Sequence, residues 1–416
     1  MKTVNVKDIS DNISNKNKNS FLAKFFKKNV LNKFNQLENG YIKIIDGQDV
    51  YEVGNNKNNL KCEINIHNID FYVFLGSGGL LGATEAYAAG LWSCSDLVVL
   101  TQIMVRNQNL MSNLDSGIAK LIVPINKLIH YTKRNTVLGS KKNILAHYDL
   151  GNDFYQLWLD QTMTYSCGYF ENKNTSLKDA SIKKLDMICK KLKLNDKDSV
   201  LEIGTGWGSF AIHAAKNYGC KITTTTISDE QYRYTKNLIE ELNLSHLITL
   251  IKKDYRHLKG KYDKIASIEM IEAVGHKNVP VFFNKVSSLL KDGGLFVMQG
   301  ITYNDQKFDI YKNSVDFINK YIFPGSCLIS IAQISDIVKT KTNFDFVDLE
   351  DITKHYATTL NIWRKNFLKK SNKVKELGFS DTFIRLWEFY FTYCEAGFLE
   401  KNIGDYQFVF SKQQEY

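Results

Sequence analysis

The chain has 416 residues, 44% of them hydrophobic, enough for about two or three domains with a sizeable core and far from a disordered composition. Its formal charge of +10 fits an anionic partner, whether nucleic acid, a membrane surface or an acidic substrate, without choosing among them. Apolar runs such as Leu97–Val105 are too short to span a bilayer, so any membrane contact is expected to be peripheral. Seven scattered cysteines form no CxxC pair and no metal-ligand cluster with histidine, a pattern of reduced thiols in a cytoplasmic protein. The start, MKTVNVKDISDN, is polar and is no signal peptide.

In chain order, Phe21, Leu22, Phe25, Phe26, Val30 and Phe34 recur at helical spacing among lysines. This basic amphipathic helix can lie on an anionic membrane or pack on its own domain. Tyr41–Ile45, Val50–Val53, Leu60–Ile66 and Phe71–Leu75 read as short strands, and the glycines of GSGG as a turn into a helix. Ser95-Asp96 caps a further helix from Leu97 to about Arg106. Residues 1–126 are expected to form a small α+β domain and 127–143 a basic linker, leaving 144–416 as a second domain.

Leu145–Phe170 mixes aromatics, small residues and acids without clean periodicity, as a segment lining a site does. A helix capped by Ser176 follows. Strands then alternate with helices: Ser199–Ile203, Lys221–Ile227, Ile248–Asp254, Asp263–Glu269 and Leu295–Thr302 are the strands. This alternation predicts an α/β fold with a parallel sheet covered on both faces and ligands at the carboxyl ends of the strands. After the first strand, Gly204, Gly206 and Gly208 let the backbone turn sharply and approach a ligand closely. The spacing is GxGxG, not the GxGxxG of a dinucleotide loop.

VLEIGTGWG resembles the first motif of S-adenosylmethionine-dependent methyltransferases. HYDLGNDFY with TYSCGYF, then EAVG, DFINKYIFPG and HYATTLNIW, resembles the cyclopropane-fatty-acyl-phospholipid synthase family, which includes the mycolic acid cyclopropane synthases. The resemblance is specific over about Leu145–Lys412 and weaker in GLLGATEAYAAGLW. It implies a class I, Rossmann-like seven-stranded sheet, with Tyr406–Ser411 as its antiparallel strand. By the same resemblance, Tyr165, Ser166, Gly204, Thr205, Gly206, Thr226, Gln231, Asp254, Tyr255 and Arg256 hold S-adenosylmethionine. Asp316, Tyr321, Phe323, Pro324 and Gly325 would belong to an acyl-chain wall.

The activity so implied is transfer of a methylene from S-adenosylmethionine to a cis double bond of an unsaturated phospholipid in a bilayer, at the inner face of the membrane. The implied base is a bicarbonate ion caged by Cys167, Glu272, Gln299, the backbone of Ile301, and Tyr356. Many relatives carry His where this chain has Gln299, which removes a group able to titrate near neutral pH and leaves an amide donor. Glu269 caps the strand end or faces the pocket from another side. A homodimer is a family-level expectation. Three rivals remain: a lipid methyltransferase giving methyl-branched chains, a basic nucleic-acid methyltransferase, and a lipid-binding relative that has lost activity, against which the intact glycine loop and the retained Cys167, Glu272 and Tyr356 argue. The second lacks the N/D-P-P-Y motif at the fourth strand end, so no nucleic-acid partner is expected.

Overall fold

The computed structural model describes residues 20–110 and 150–414. The expected linker and the first residues of the Leu145 segment lie outside them. The described residues form two compact units. Two stretches beyond residue 143, Val315–Ile322 and Trp363–Asn402, pack with the N-terminal unit and not with the sheet that surrounds them in sequence.

In the first unit a four-stranded sheet has the order β2-β1-β3-β4, with β1 Tyr41–Asp46, β2 Asp49–Gly54, β3 Lys61–Ile66 and β4 Trp92–Cys94. The helix Ser20–Phe34 buries Ala23, Phe26, Val30 and Phe34 and leaves Phe21 81% and Phe25 52% exposed. The segment expected as a strand, Phe71–Leu75, is instead the start of a helix, Asp70–Ala88. Its aromatic and branched residues mimic strand propensity, but burial against neighbouring elements decides the outcome. The GSGG run does not end that helix: it is kinked at Gly79. A Cβ at Gly76 would stand 2.2 Å from the Phe26 ring, so glycine lets the two helices approach. Asp96 caps the helix Leu97–Arg106 by accepting from the Val98 and Val99 amides. Within this unit the late helix Asp381–Leu399 returns to the N-terminal part: Tyr87 donates to Glu388, and Arg106 pairs with Glu400 just beyond the helix.

The second unit is a seven-stranded sheet of order β10-β11-β9-β8-β5-β6-β7. Its strands are β5 Ser199–Ile203, β6 Lys221–Thr226, β7 Ile248–Lys252, β8 Tyr262–Ile268, β9 Leu290–Tyr303, β10 Phe344–Asp351 and β11 Ile403–Lys412. β11 runs antiparallel to both neighbours, as expected. β10 was not anticipated. Its sequence, FDFVDLED, leaves most residues exposed at the sheet edge and carries little alternating burial.

The period of two along each strand sorts side chains onto opposite faces. Leu201, Phe296, Met298, Phe408 and Phe410 pack on one side with the helices Val279–Leu289 and Ile331–Lys341. Val200, Val297 and Val409 pack on the other with Leu177–Lys191 and Ser209–Tyr218. Phe283 is fully buried in the first layer, its ring centroid 6.2 Å from Phe296 and 5.8 Å from Phe410. Phe283→Ala is expected to cost ~3–5 kcal/mol, read as a lowered urea midpoint with unchanged slope.

Candidate active site

The site forms where β5 to β9 end, so residues distant in sequence meet there. All ten residues expected to hold the methyl donor line one cavity of about 160 Å³. Gly206, at φ +54°, has open space where a Cβ would stand. Beneath the loop, Thr224 donates to Glu202 at 2.5 Å, and the Thr224 and Thr205 hydroxyls lie 2.5 Å apart. Burial pushes the Glu202 carboxyl up to about 8, against the pull of Thr224 and Lys184.

After β6, the Thr226 hydroxyl donates to Gln231 at 2.8 Å, fixing that side chain at the start of its helix. After β7, the Asp254 carboxylate accepts from the Arg256 backbone amide at 2.9 Å and from its guanidinium at 2.8 and 2.6 Å. Burial opposes ionisation of Asp254, but these Arg256 bonds hold its pKa below the usual value. Tyr165 stacks 6.3 Å from Phe323, giving an aromatic wall beside the cavity. The expected acyl-wall string is divided: Phe323 lies in the second unit, while Asp316 and Tyr321 lie in the first, where Tyr321 donates to Glu85 at 2.6 Å. These donors and the open glycine turn suit S-adenosylmethionine.

The five residues assigned to the chemistry do not line that cavity; Glu269 does. Glu269 Oε1 accepts from the Cys167 amide and from Gln299 Nε2, each at 2.8 Å, and Oε2 accepts from the Tyr356 hydroxyl at 2.5 Å. Gln299 is itself held by Gln407 Nε2 at 3.1 Å and also donates to Asp405 at 3.1 Å. The pairing of β11 with β9 sets Gln407 opposite Gln299. Glu272 stands apart: its Oε1 accepts the Ile301 amide at 2.6 Å, and its Oε2 has no hydrogen-bond partner among the described residues.

The expected cage therefore splits between two carboxylates. Three of its donors point at Glu269, and the fourth, from Ile301, points at Glu272. Bicarbonate does not fit this arrangement, because the groups that would bind it are already engaged. Cys167 contributes its backbone amide; burial, then Asp405 and Glu269, keep its thiol protonated.

Lys184 was not anticipated. It is fully buried and donates to Ser166 at 2.6 Å. Burial lowers its pKa, while Glu269, Cys167 and Asp405 act to raise it. Burial, then Glu269 and Glu272, push Asp405 well above the usual carboxylate range. Burial and Glu269 push Glu272 up to about 8. Burial raises Glu269 as well, against Lys184 and its three donors. A signal for Lys184 existed: it shares a helix face with Ala180, Leu185 and Ile188, where a charge is out of pattern. Asp405 likewise shares a strand face with Gln407 and Val409.

A family model described as mycolic acid cyclopropane synthetase matches residues 137–408. The tuberculostearic acid methyltransferase UfaA1 of Mycobacterium tuberculosis is 33% identical over 357 residues, covering 82% of this chain and 80% of the relative. The cyclopropane-fatty-acyl-phospholipid synthase of Escherichia coli K12 is 33% identical over 353 residues, 84% of this chain and 88% of that one. Among solved structures, the mycolic acid cyclopropane synthase CmaA1 complexed with SAH and CTAB aligns with a TM-score of 0.61 at 28% identity, over 65% of this chain and 98% of that one. With its glycine loop, its seven-stranded sheet and these relatives, the chain belongs to the mycolic acid cyclopropane synthetase family of S-adenosylmethionine-dependent methyltransferases.

Proposed function

We propose that the protein transfers a one-carbon unit from S-adenosylmethionine to the cis double bond of an unsaturated phospholipid acyl chain and closes it into a cyclopropane ring. The observation that carries this reading is the likeness to the Escherichia coli synthase, whose 353 matched residues exceed what the second unit holds. A methyl-branched product is the second reading, favoured by the comparable likeness to a tuberculostearic acid methyltransferase.

When bound, S-adenosylmethionine supplies an electrophilic methyl group. The alkene needs no prior deprotonation: its π electrons form the new C–C bond as the C–S pair leaves with sulfur. The neighbouring carbon becomes cationic. Loss of a proton from the new methyl lets that C–H pair close the ring. The residues must therefore orient the alkene, exclude water and leave a base beside the methyl. Tyr165 and Phe323 offer aromatic faces that favour a cation and repel water.

A bilayer substrate requires docking. Among the described residues no helix is long and apolar enough to cross a membrane. In the helix Ser20–Phe34, exposed Phe21, Leu22 and Phe25 lie among exposed Lys24 and Lys28, while Lys27 is engaged by Asp46 and Asp49. This face suits peripheral contact with an anionic membrane surface.

Vesicles of monounsaturated phospholipid with methyl-labelled S-adenosylmethionine should yield a labelled acyl chain one CH2 heavier with a three-membered ring, by mass spectrometry. A labelled methyl branch would select the second reading, and no labelled lipid would overturn both. Gly206→Val should weaken binding of S-adenosylhomocysteine about tenfold or more by calorimetry, the equivalent of ~1.4 kcal/mol, because its side chain enters the cavity. Phe21→Ser with Phe25→Ser should lower co-sedimentation with anionic vesicles by about tenfold or more and leave S-adenosylhomocysteine binding unchanged.

A further inference from the structure

Glu269 follows β8 at φ +46°, a left-handed conformation that costs a residue with a Cβ ~1–2 kcal/mol. Its amide donates to the Gln299 carbonyl at 2.9 Å, which anchors the turn. The strained turn brings a carboxylate to the cavity wall. There it meets the Cys167 amide, the Gln299 amide and the Tyr356 hydroxyl. These are the groups that the family resemblance assigns to a diffusible anion.

We propose that the Glu269 carboxylate is itself the base for ring closure, a built-in anion that makes the enzyme independent of bicarbonate. This rests on the lipid reading above. The charges around it agree. Lys184, Asp405, Glu272, Cys167 and Tyr356 face Glu269 from the surrounding elements. One ammonium can balance one carboxylate in a buried site. Glu269 accepts three hydrogen bonds where Asp405 and Glu272 each accept one, from Gln299 and Ile301, so of the three carboxyls it is the one built to hold the negative charge. Asp405 and Glu272 carry protons, because burial and a charged Glu269 oppose their ionisation. The anion thus stands on the cavity side, where a cation forms during the reaction.

The step balances. A C–H bond of the transferred methyl breaks, and its electron pair becomes the third C–C bond of the ring. The proton forms an O–H bond on Glu269, which returns it to water when the product leaves. Glu272, the acid singled out from sequence, does not reach the cavity and serves the Ile301 amide.

The test uses the full chain, vesicles of monounsaturated phospholipid and labelled S-adenosylmethionine, in buffer purged of carbon dioxide and in the same buffer with bicarbonate. Wild-type turnover is expected to be equal in both. Glu269→Gln should lower turnover by about 10²–10⁴-fold, the usual range for a lost general base. S-adenosylhomocysteine binding by calorimetry should stay within about threefold of wild type. Glu269→Gly suits the backbone at this φ and frees all three donors, so it should be inactive in purged buffer and regain turnover with bicarbonate. ¹³C-bicarbonate should give a bound NMR signal with Glu269→Gly and none with wild type. Wild-type turnover that vanishes in purged buffer and returns with bicarbonate overturns the proposal. So does a bound signal on wild type, or near-normal turnover by Glu269→Gln. Absence of labelled lipid from wild type in either buffer instead overturns the lipid reading on which the proposal rests.

Discussion

A carboxylate taken out of water has to be paired, and the interior of the second unit is organised around that requirement at Glu269. Its partners come from widely separated parts of the chain: Cys167, Gln299 on β9, Tyr356 on the helix Thr353–Lys369, and Lys184 on the helix Leu177–Lys191. β11 adds Gln407 and Asp405, which fix the Gln299 amide from the far side. Cys167, Gln299 and Tyr356 donate hydrogen bonds to Glu269, while Lys184, which donates to Ser166, acts on it through charge. Together they set the position of one carboxyl group at the wall of the cavity.

The sheet makes this economical. Parallel strands end together, so their loops share one rim. Three of those loops present backbone turns and small polar side chains to the cavity, as Gly206, Thr226 and Asp254 do. β8 instead leads to an acid at the cavity wall, Glu269, which the Gln299 amide of β9 holds from behind. On the proposed reading, the rim is thereby divided between recognition of the methyl donor and chemistry on the acceptor.

Much of this was legible in the sequence because it is local. The strand, glycine turn and helix of Ser199–Phe210 announce themselves in a dozen consecutive residues, and eight of the ten residues expected to hold the methyl donor stand at or after strand ends, with Tyr165 and Ser166 earlier in the chain. The aromatic start of Asp70–Ala88 was misread because propensity favoured a strand while packing required a helix. β10 was missed because an exposed acidic edge shows no apolar alternation. The partners of Glu269 were hidden for a different reason. Two acids three residues apart, Glu269 and Glu272, look alike in sequence, and only a backbone at φ +46° sends the first toward Cys167, Gln299 and Tyr356. Long-range convergence of this kind leaves no periodic trace.

The first unit is built from the two ends of a long excursion. Phe71 packs on Trp92 and Trp92 on Tyr87, which in turn meets Phe389 at 5.8 Å. During synthesis, β1–β4 leave the ribosome long before the helix Asp381–Leu399 that carries Phe389. At ordinary elongation rates that interval is on the order of tens of seconds. For that time the four-stranded sheet presents an unfinished apolar surface while β5–β10 of the larger sheet are being made. The fold thus imposes an order of events on the nascent chain: the smaller unit begins first and waits for one of the last helices, after which β11 completes the larger sheet.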